Sequence, residues 1–304
     1  MHNLFSFIKK YISQIIIFFS LMFLVIYLIK HNLLDFSQFR LNTSFYISLF
    51  FLFGGFVLSG ISWWYATLIH GIKISVSDGI SSHGLAIFAK YIPGKIWTIL
   101  GRASKVASHT DKAVSELSFI SLKEQLVYLL VGILISIIPV YLLYGLSLIF
   151  LFVLLSGVGL FLIIFNKTIH NLLLWILGKF MKKTPELPLL TIKNGIRLSV
   201  YNILLWIFWT LGFYFFAHSF NESFSLDLAF VFPISVVYGV LAIIMPGGIG
   251  VREGIITGYL VLSGVELETA TTISVLSRIW FVIGEVFIFL LSLILHIRKH
   301  GETD

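Results

Sequence analysis

Apolar runs about twenty residues long recur from one end of this 304-residue chain to the other, and they leave few folds open. The hydrocarbon core of a bilayer is about 30 Å thick, which an α-helix crosses in ~20 residues. Inside it every backbone N–H and C=O must be satisfied within the segment. Six stretches meet that length, at approximately 11–30, 45–69, 120–144, 146–166, 198–218 and 272–296. The third and fourth are separated only by a turn at Gly145. Composition agrees: 58% of residues are hydrophobic and 12% charged, about half the charge of a soluble domain. The chain is therefore read as an all-α polytopic membrane protein. It has no cysteine, which excludes disulfides, thiolate metal sites and cysteine nucleophiles. The first run, Ile12 to Ile29, lacks a small-residue cleavage site and ends in Lys30-His31, so it reads as a retained helix and not a signal peptide.

Two further stretches, about 74–110 and 227–263, are apolar but interrupted, each near its middle, by Pro93-Gly94 and Pro246-Gly247. Proline removes a helix hydrogen bond and glycine frees the backbone, so a helix ends at each. At a constant offset of 153 residues, AKYIPGKIWTILG (Ala89–Gly101) lies over AIIMPGGIGVREG (Ala242–Gly254). Ala89, Pro93, Gly94, Ile96 and Gly101 then meet identical residues. This is an internal repeat, with repeat 1 at about 74–144 and repeat 2 at about 227–296, inside a single membrane domain over 1–304. The ends of the first broken stretch are basic (Lys73, Arg102, Lys105); those of the second are acidic (Glu222, Asp227, Glu266, Glu268). Read as re-entrant hairpins, the two enter from opposite sides and form an inverted repeat. Lys and Arg concentrate on the cytoplasmic side of membrane proteins. With both termini there, 14 of the 21 basic residues fall inside and two, Lys30 and Arg40, outside. A full crossing by 227–245 is the competing topology, and it would put the C-terminus outside, against Arg298-Lys299.

Eight charges remain at membrane depth: Lys90, Lys95, Lys123, Arg252 and Arg278, with Glu124, Glu253 and Glu285. Each costs about 2.5–3.5 kcal/mol at mid-bilayer, so together they are expected to face a polar cavity and partly pair. Lys95 and Arg252 follow the two breaks. Arg278 and Glu285 are seven residues apart, on one helix face with about 10 Å between them. The eight sum to two positive charges, which suits an anionic guest. Helix ends opened at Gly94, Gly247 and Gly248 would add unpaired N–H groups for phosphate or carboxylate. The competing reading is structural, with Arg–Glu pairs that only hold helices in register. Trp63, Trp64, Trp206 and Trp209 read as belt or packing aromatics. His70, His83 and His109 lack metal-ligand spacing, and no cofactor or metal is expected. ISVSDGISSHG (Ile74–Gly84) has no paired base and reads as a polar hairpin arm. Residues 167–197, rich in Lys and Arg, read as a surface anchor.

YIPGKIWTILGR (Tyr91–Arg102), and PGGIGVREGI (Pro246–Ile255) followed by SRIWFVIGE (Ser277–Glu285), resemble the transmembrane region of the lysylphosphatidylglycerol synthase family. This is the flippase-like membrane domain of multiple peptide resistance factors and their stand-alone relatives. The similarity runs over about 10 to 297. The first motif departs from the second in having Lys95 where its partner has a second glycine. The resemblance implies a multi-pass protein of the cytoplasmic (inner) membrane that handles lipids, with Arg252, Glu253 and Arg278 at the family's motif positions. No soluble aminoacyl-transfer domain follows the last span, so enzymatic synthesis of an aminoacyl lipid is not expected.

The function expected is a lipid flippase or translocator for an anionic phospholipid or a polyprenyl-phosphate-linked sugar. Its site would draw on Lys90, Gly94, Lys95, Glu124, Gly247, Gly248, Arg252, Glu253, Arg278 and Glu285. The alternatives are a membrane-embedded lipid-modifying enzyme with Glu253 or Glu285 as general base, and a non-catalytic partner of a membrane glycosyltransferase. Membrane lipid is the expected partner. A second copy of the chain, a lipid synthase or a glycosyltransferase are the protein partners this reading leaves open, and nucleic acid is excluded.

Overall fold

A computed structural model of the chain describes residues 41–92, 96–180, 189–242 and 245–301. The expected first span, 11–30, lies outside them. Ten α-helices follow in order: α1 (Thr43–Ile69), α2 (Val76–Leu85), α3 (Trp97–Ala107), α4 (Val114–Tyr144), α5 (Leu148–Phe165), α6 (Lys167–Phe180), α7 (Ile192–His218), α8 (Val231–Leu241), α9 (Val251–Leu262) and α10 (Leu267–Gly301). Short 3-10 turns occupy Ile87–Tyr91, Asp227–Phe230 and Pro246–Gly248. Among the described residues there is no strand. Helices α1, α4, α5, α7 and α10 are long and apolar enough to cross a bilayer.

Local chemistry sets the helix starts. Asn42 Oδ1 accepts from the Phe45 N–H and opens α1. Ser75 and Asp78 cap α2 reciprocally, the serine hydroxyl accepting from the Asp78 N–H and the carboxylate from the Ser75 N–H. This accounts for the polar start of ISVSDGISSHG. Lipid tails are as apolar as leucine, so close packing must hold such helices together. Helices α1 and α7 pack along their length, with a cluster of Phe56, Trp63, Trp206, Trp209 and Phe213 buried between them and their neighbours. Trp63 and Trp206 are packing aromatics, not belt residues.

The two broken stretches are hairpins of opposite sense. The first runs in through α2 and the Ile87–Tyr91 turn and back through α3. Its mouth, with Lys73, Lys105 and His109, is at the end of the bundle where α10 finishes. The second runs in through Asp227–Leu241 and back through α9. Its mouth, with Glu222, Asp227 and Glu266, is at the end where α4 finishes and α10 begins. At about 1.5 Å per residue, Asp227–Leu241 covers ~22 Å, short of the ~30 Å core. So this stretch re-enters and does not cross. Each hairpin packs against the long helix of the other repeat, α2 on α10 and α8 on α4, and the inner turns touch. The helix starts keep the sequence offset: α4 begins at Val114 and α10 at Leu267.

Candidate functional site

The second hairpin turns at Gly247 and Gly248, with φ of 61° and 73°. Both lie in the left-handed region that side chains disfavour. Space is also short. A Cβ on Gly247 would stand 2.6 Å from Arg278 Nη2 and 2.8 Å from the Tyr91 ring. One on Gly248 would stand 2.7 Å from the Gly239 backbone. The turn is therefore clamped between the first hairpin, α8 and α10. Arg278 Nη2 donates to the Gly247 carbonyl at 2.7 Å and fixes it there.

Where the tips meet there is a cavity of about 130 Å³ lined by Lys90, Arg102, Glu124, Arg252, Arg278 and Glu285, with apolar and aromatic side chains between them. At roughly 30 Å³ per water it has room for about four water-sized groups. Four cations and two carboxylates give it two net positive charges. Larger clefts lie at the two ends, about 1080 Å³ on the acidic side and 250 Å³ on the basic side. They lie at the hairpin mouths; the buried charge lines the central space.

Both carboxylates are fully engaged. Glu285 Oε1 is 2.6 Å from Lys90 Nζ, and Oε2 accepts from the Tyr91 hydroxyl at 2.8 Å. Glu124 Oε2 is 2.7 Å from Arg102 Nη2, and Oε1 accepts from Ser62 at 2.9 Å. Arg102 also reaches Ser121 and rests 4.6 Å above the Trp63 ring. Arg252 and Arg278 differ. Both are 6% exposed, and among the described residues neither has a carboxylate within 4.0 Å. Arg252 lies between Phe281 and Phe232, its Cζ 4.8 and 5.4 Å from their ring centres. Aromatic faces tolerate a weakly hydrated guanidinium and leave its N–H groups unspent.

Five of the six buried side-chain polar atoms without a partner among the described residues belong to residues lining this cavity. They are His83 Nδ1, Thr98 Oγ1, Trp209 Nε1, Arg252 Nη2 and Arg278 Nε. Buried polar atoms are almost always paired. These orphans leave donors and acceptors around one cavity that water or a polar guest can satisfy.

Of the residues singled out from the sequence, Lys90, Glu124, Gly247, Arg252, Arg278 and Glu285 come together here. Glu253 does not line the cavity. Its carboxylate accepts from the Gly250 N–H at 2.7 Å and caps α9, three residues on. Neighbouring helix positions point about 100° apart, so Arg252 and Glu253 never faced one another. Gly248 supports the turn from outside the lining. Lys123 is buried on α4, also outside it. Gly94 and Lys95 fall outside the described residues. Sequence reading missed Arg102, Thr98 and Trp209, and passed over His83. The sequence places Arg102 at the basic end of the first hairpin, but it is 3% exposed and paired with Glu124.

Together these features define a polytopic α-helical membrane protein whose two re-entrant hairpins, inserted from opposite ends, enclose a charged cavity at their tips. The chain belongs to the lysylphosphatidylglycerol synthase transmembrane-region family, whose family model matches residues 11–292. No match was found among curated proteins or among solved structures.

Proposed function

We propose that the protein translocates an anionic lipid across the cytoplasmic membrane, taking the head group into the central cavity while the acyl or prenyl tails stay in the bilayer. The carrying observation is the pair Arg252 and Arg278, buried cations without a carboxylate partner among the described residues, each with an orphaned nitrogen beside the same cavity. A phosphate satisfies both at once, since guanidinium groups bind it through directed N–H donors. Two net positive charges favour a phosphate-rich guest, such as a phosphatidylglycerol derivative or a polyprenyl-phosphate-linked sugar, over a cationic aminoacyl lipid. The volume admits a phosphate and its first substituent, not a whole lipid. The positive-inside bias assigns the mouth with Lys73 and Lys105 to the cytoplasm. Movement comes from rocking one repeat against the other about the tip contact. No covalent step is involved.

Reconstitution tests this reading. Purified protein in liposomes is expected to move labelled anionic lipid between leaflets and leave its mass unchanged. Arg252→Ala and Arg278→Ala each abolish movement while the protein remains folded in the membrane. Normal transport by both variants would remove the cavity from the mechanism, and a change in lipid mass would replace transport with enzymatic modification.

A further inference from the structure

The two ion pairs of the cavity are built differently. Arg102–Glu124 joins α3 to α4, consecutive helices of the first repeat. Lys90–Glu285 joins the turn of the first hairpin to α10 of the second repeat. A shift of one repeat against the other carries Arg102 and Glu124 together and pulls Lys90 away from Glu285. Glu285 is especially dependent on that contact. Its two oxygens are held by Lys90 and Tyr91, adjacent residues of a single turn. Its side chain is 2% exposed, whereas that of Lys90 is 28% exposed. One displacement therefore strips both holders from a carboxylate that is almost wholly buried.

We infer that Glu285 carries a proton during transport, so that each singly charged phosphodiester head group crosses together with one H⁺. The inference rests on the translocator reading and adds its coupling ion. In the empty cavity the carboxylate is ionised and paired with Lys90. A phosphate entering from one side draws the Lys90 ammonium to itself, and the repeats shift. The abandoned carboxylate then takes a proton from water on the loading side and becomes a neutral acid. On the far side the phosphate departs, the ammonium returns to Glu285, and the proton leaves to water there. One anion and one proton have crossed, and no net charge has moved.

The other charged groups around Glu285 reinforce this order. Arg252 on α9 and Arg278 on α10 hold the empty cavity positive and oppose protonation. A bound phosphodiester cancels one of those charges, so the guest itself lowers the opposition to proton uptake. Arg102 on α3 and Glu124 on α4 cancel across the cavity. His83 on α2, with Nε2 3.0 Å from Ser59 Oγ, and Tyr128 on α4 are further titratable groups lining the cavity.

The test uses the full chain in liposomes containing phosphatidylglycerol labelled on an acyl chain, with an imposed pH gradient and the membrane potential clamped. At steady state the label is expected to accumulate in the leaflet facing the alkaline side, about tenfold per pH unit, because one proton accompanies each lipid. A change of potential alone leaves the wild-type ratio unmoved. Glu285→Gln loses the response to pH, and its leaflet ratio follows the potential instead. A wild type that moves the label but keeps equal leaflets under every pH gradient would overturn proton coupling and leave translocation standing. No movement under any condition would overturn translocation itself. A Glu285→Gln protein that still follows the pH gradient would overturn the assignment to this carboxylate, and loss of that response in His83→Gln would move it to the histidine.

Discussion

Gly248 and Gly258 stand ten residues apart and have opposite demands on them. A Cβ at Gly248 meets the Gly239 backbone at a positive φ, whereas Gly258, mid-way along α9, has nothing within 4 Å. Gly248→Ala is expected to destabilise the protein by about 2–3 kcal/mol, and Gly258→Ala to be neutral or stabilising by up to about 1 kcal/mol. Thermal unfolding in detergent reads both, and equal shifts would remove the clamp from the account. Arg102 gives a second contrast. Arg102→Met leaves the Glu124 carboxylate buried with its charge uncompensated, at a cost of about 3–5 kcal/mol. Adding Glu124→Gln recovers most of that loss, and the same melting measurement checks it. The sequence hid this pair for a physical reason. Arg102 and Lys105 lie three residues apart beyond the same break, one buried and one at the mouth, and composition does not mark where depth ends. Glu253 had a readable signal, since a Glu three residues after a glycine at a helix start is a cap pattern.

At the level of elements, Pro-Gly breaks and the charge at their flanks were enough to read two hairpins and their opposite sense. The helix boundaries were less legible. Helix α4 begins at Val114, six residues before the apolar run, and α7 at Ile192, where Thr191 accepts from the Asn194 N–H. Hydropathy marks the stretch in contact with lipid, and a helix continues past it wherever a cap or a surface contact supports it. Helix α6 was hidden among basic residues for the same reason. The hairpin assignment has a direct check, because the chain contains no cysteine. Ser225→Cys and Glu266→Cys are expected to react with an impermeant maleimide from one side of the membrane, and Lys73→Cys and Ser108→Cys from the other. Reaction of positions 225 and 266 from opposite sides would make the second hairpin a single crossing.

Over the whole molecule, charge is layered: a basic mouth with Lys73 and Lys105, a central cavity with two net positive charges, and an acidic mouth with Glu222, Asp227 and Glu266. On the proposed reading, exposed charge at the basic mouth steers an anionic lipid and buried charge in the cavity selects it. Salt separates the two effects, since the screening length falls from about 10 Å at 0.1 M to 3 Å at 1 M and buried groups are screened much less. Raising salt is expected to slow uptake of phosphatidylglycerol from the basic side while its preference over phosphatidylcholine persists. Leaflet-exchange rates of the two labelled lipids measure this, and loss of the preference at high salt would place selection at the mouth.

The interlocking of the repeats also bears on how the protein is made. Each hairpin is clasped by the long helix of the other half, and Tyr91 finds its Glu285 partner 194 residues downstream. At about 5–20 residues per second, a ribosome takes roughly 10–40 s to supply that partner. Throughout this interval the first hairpin carries Lys90 without its counter-ion and α2 without α10. The first hairpin therefore reaches its paired and packed state only when Leu267–Gly301 arrives.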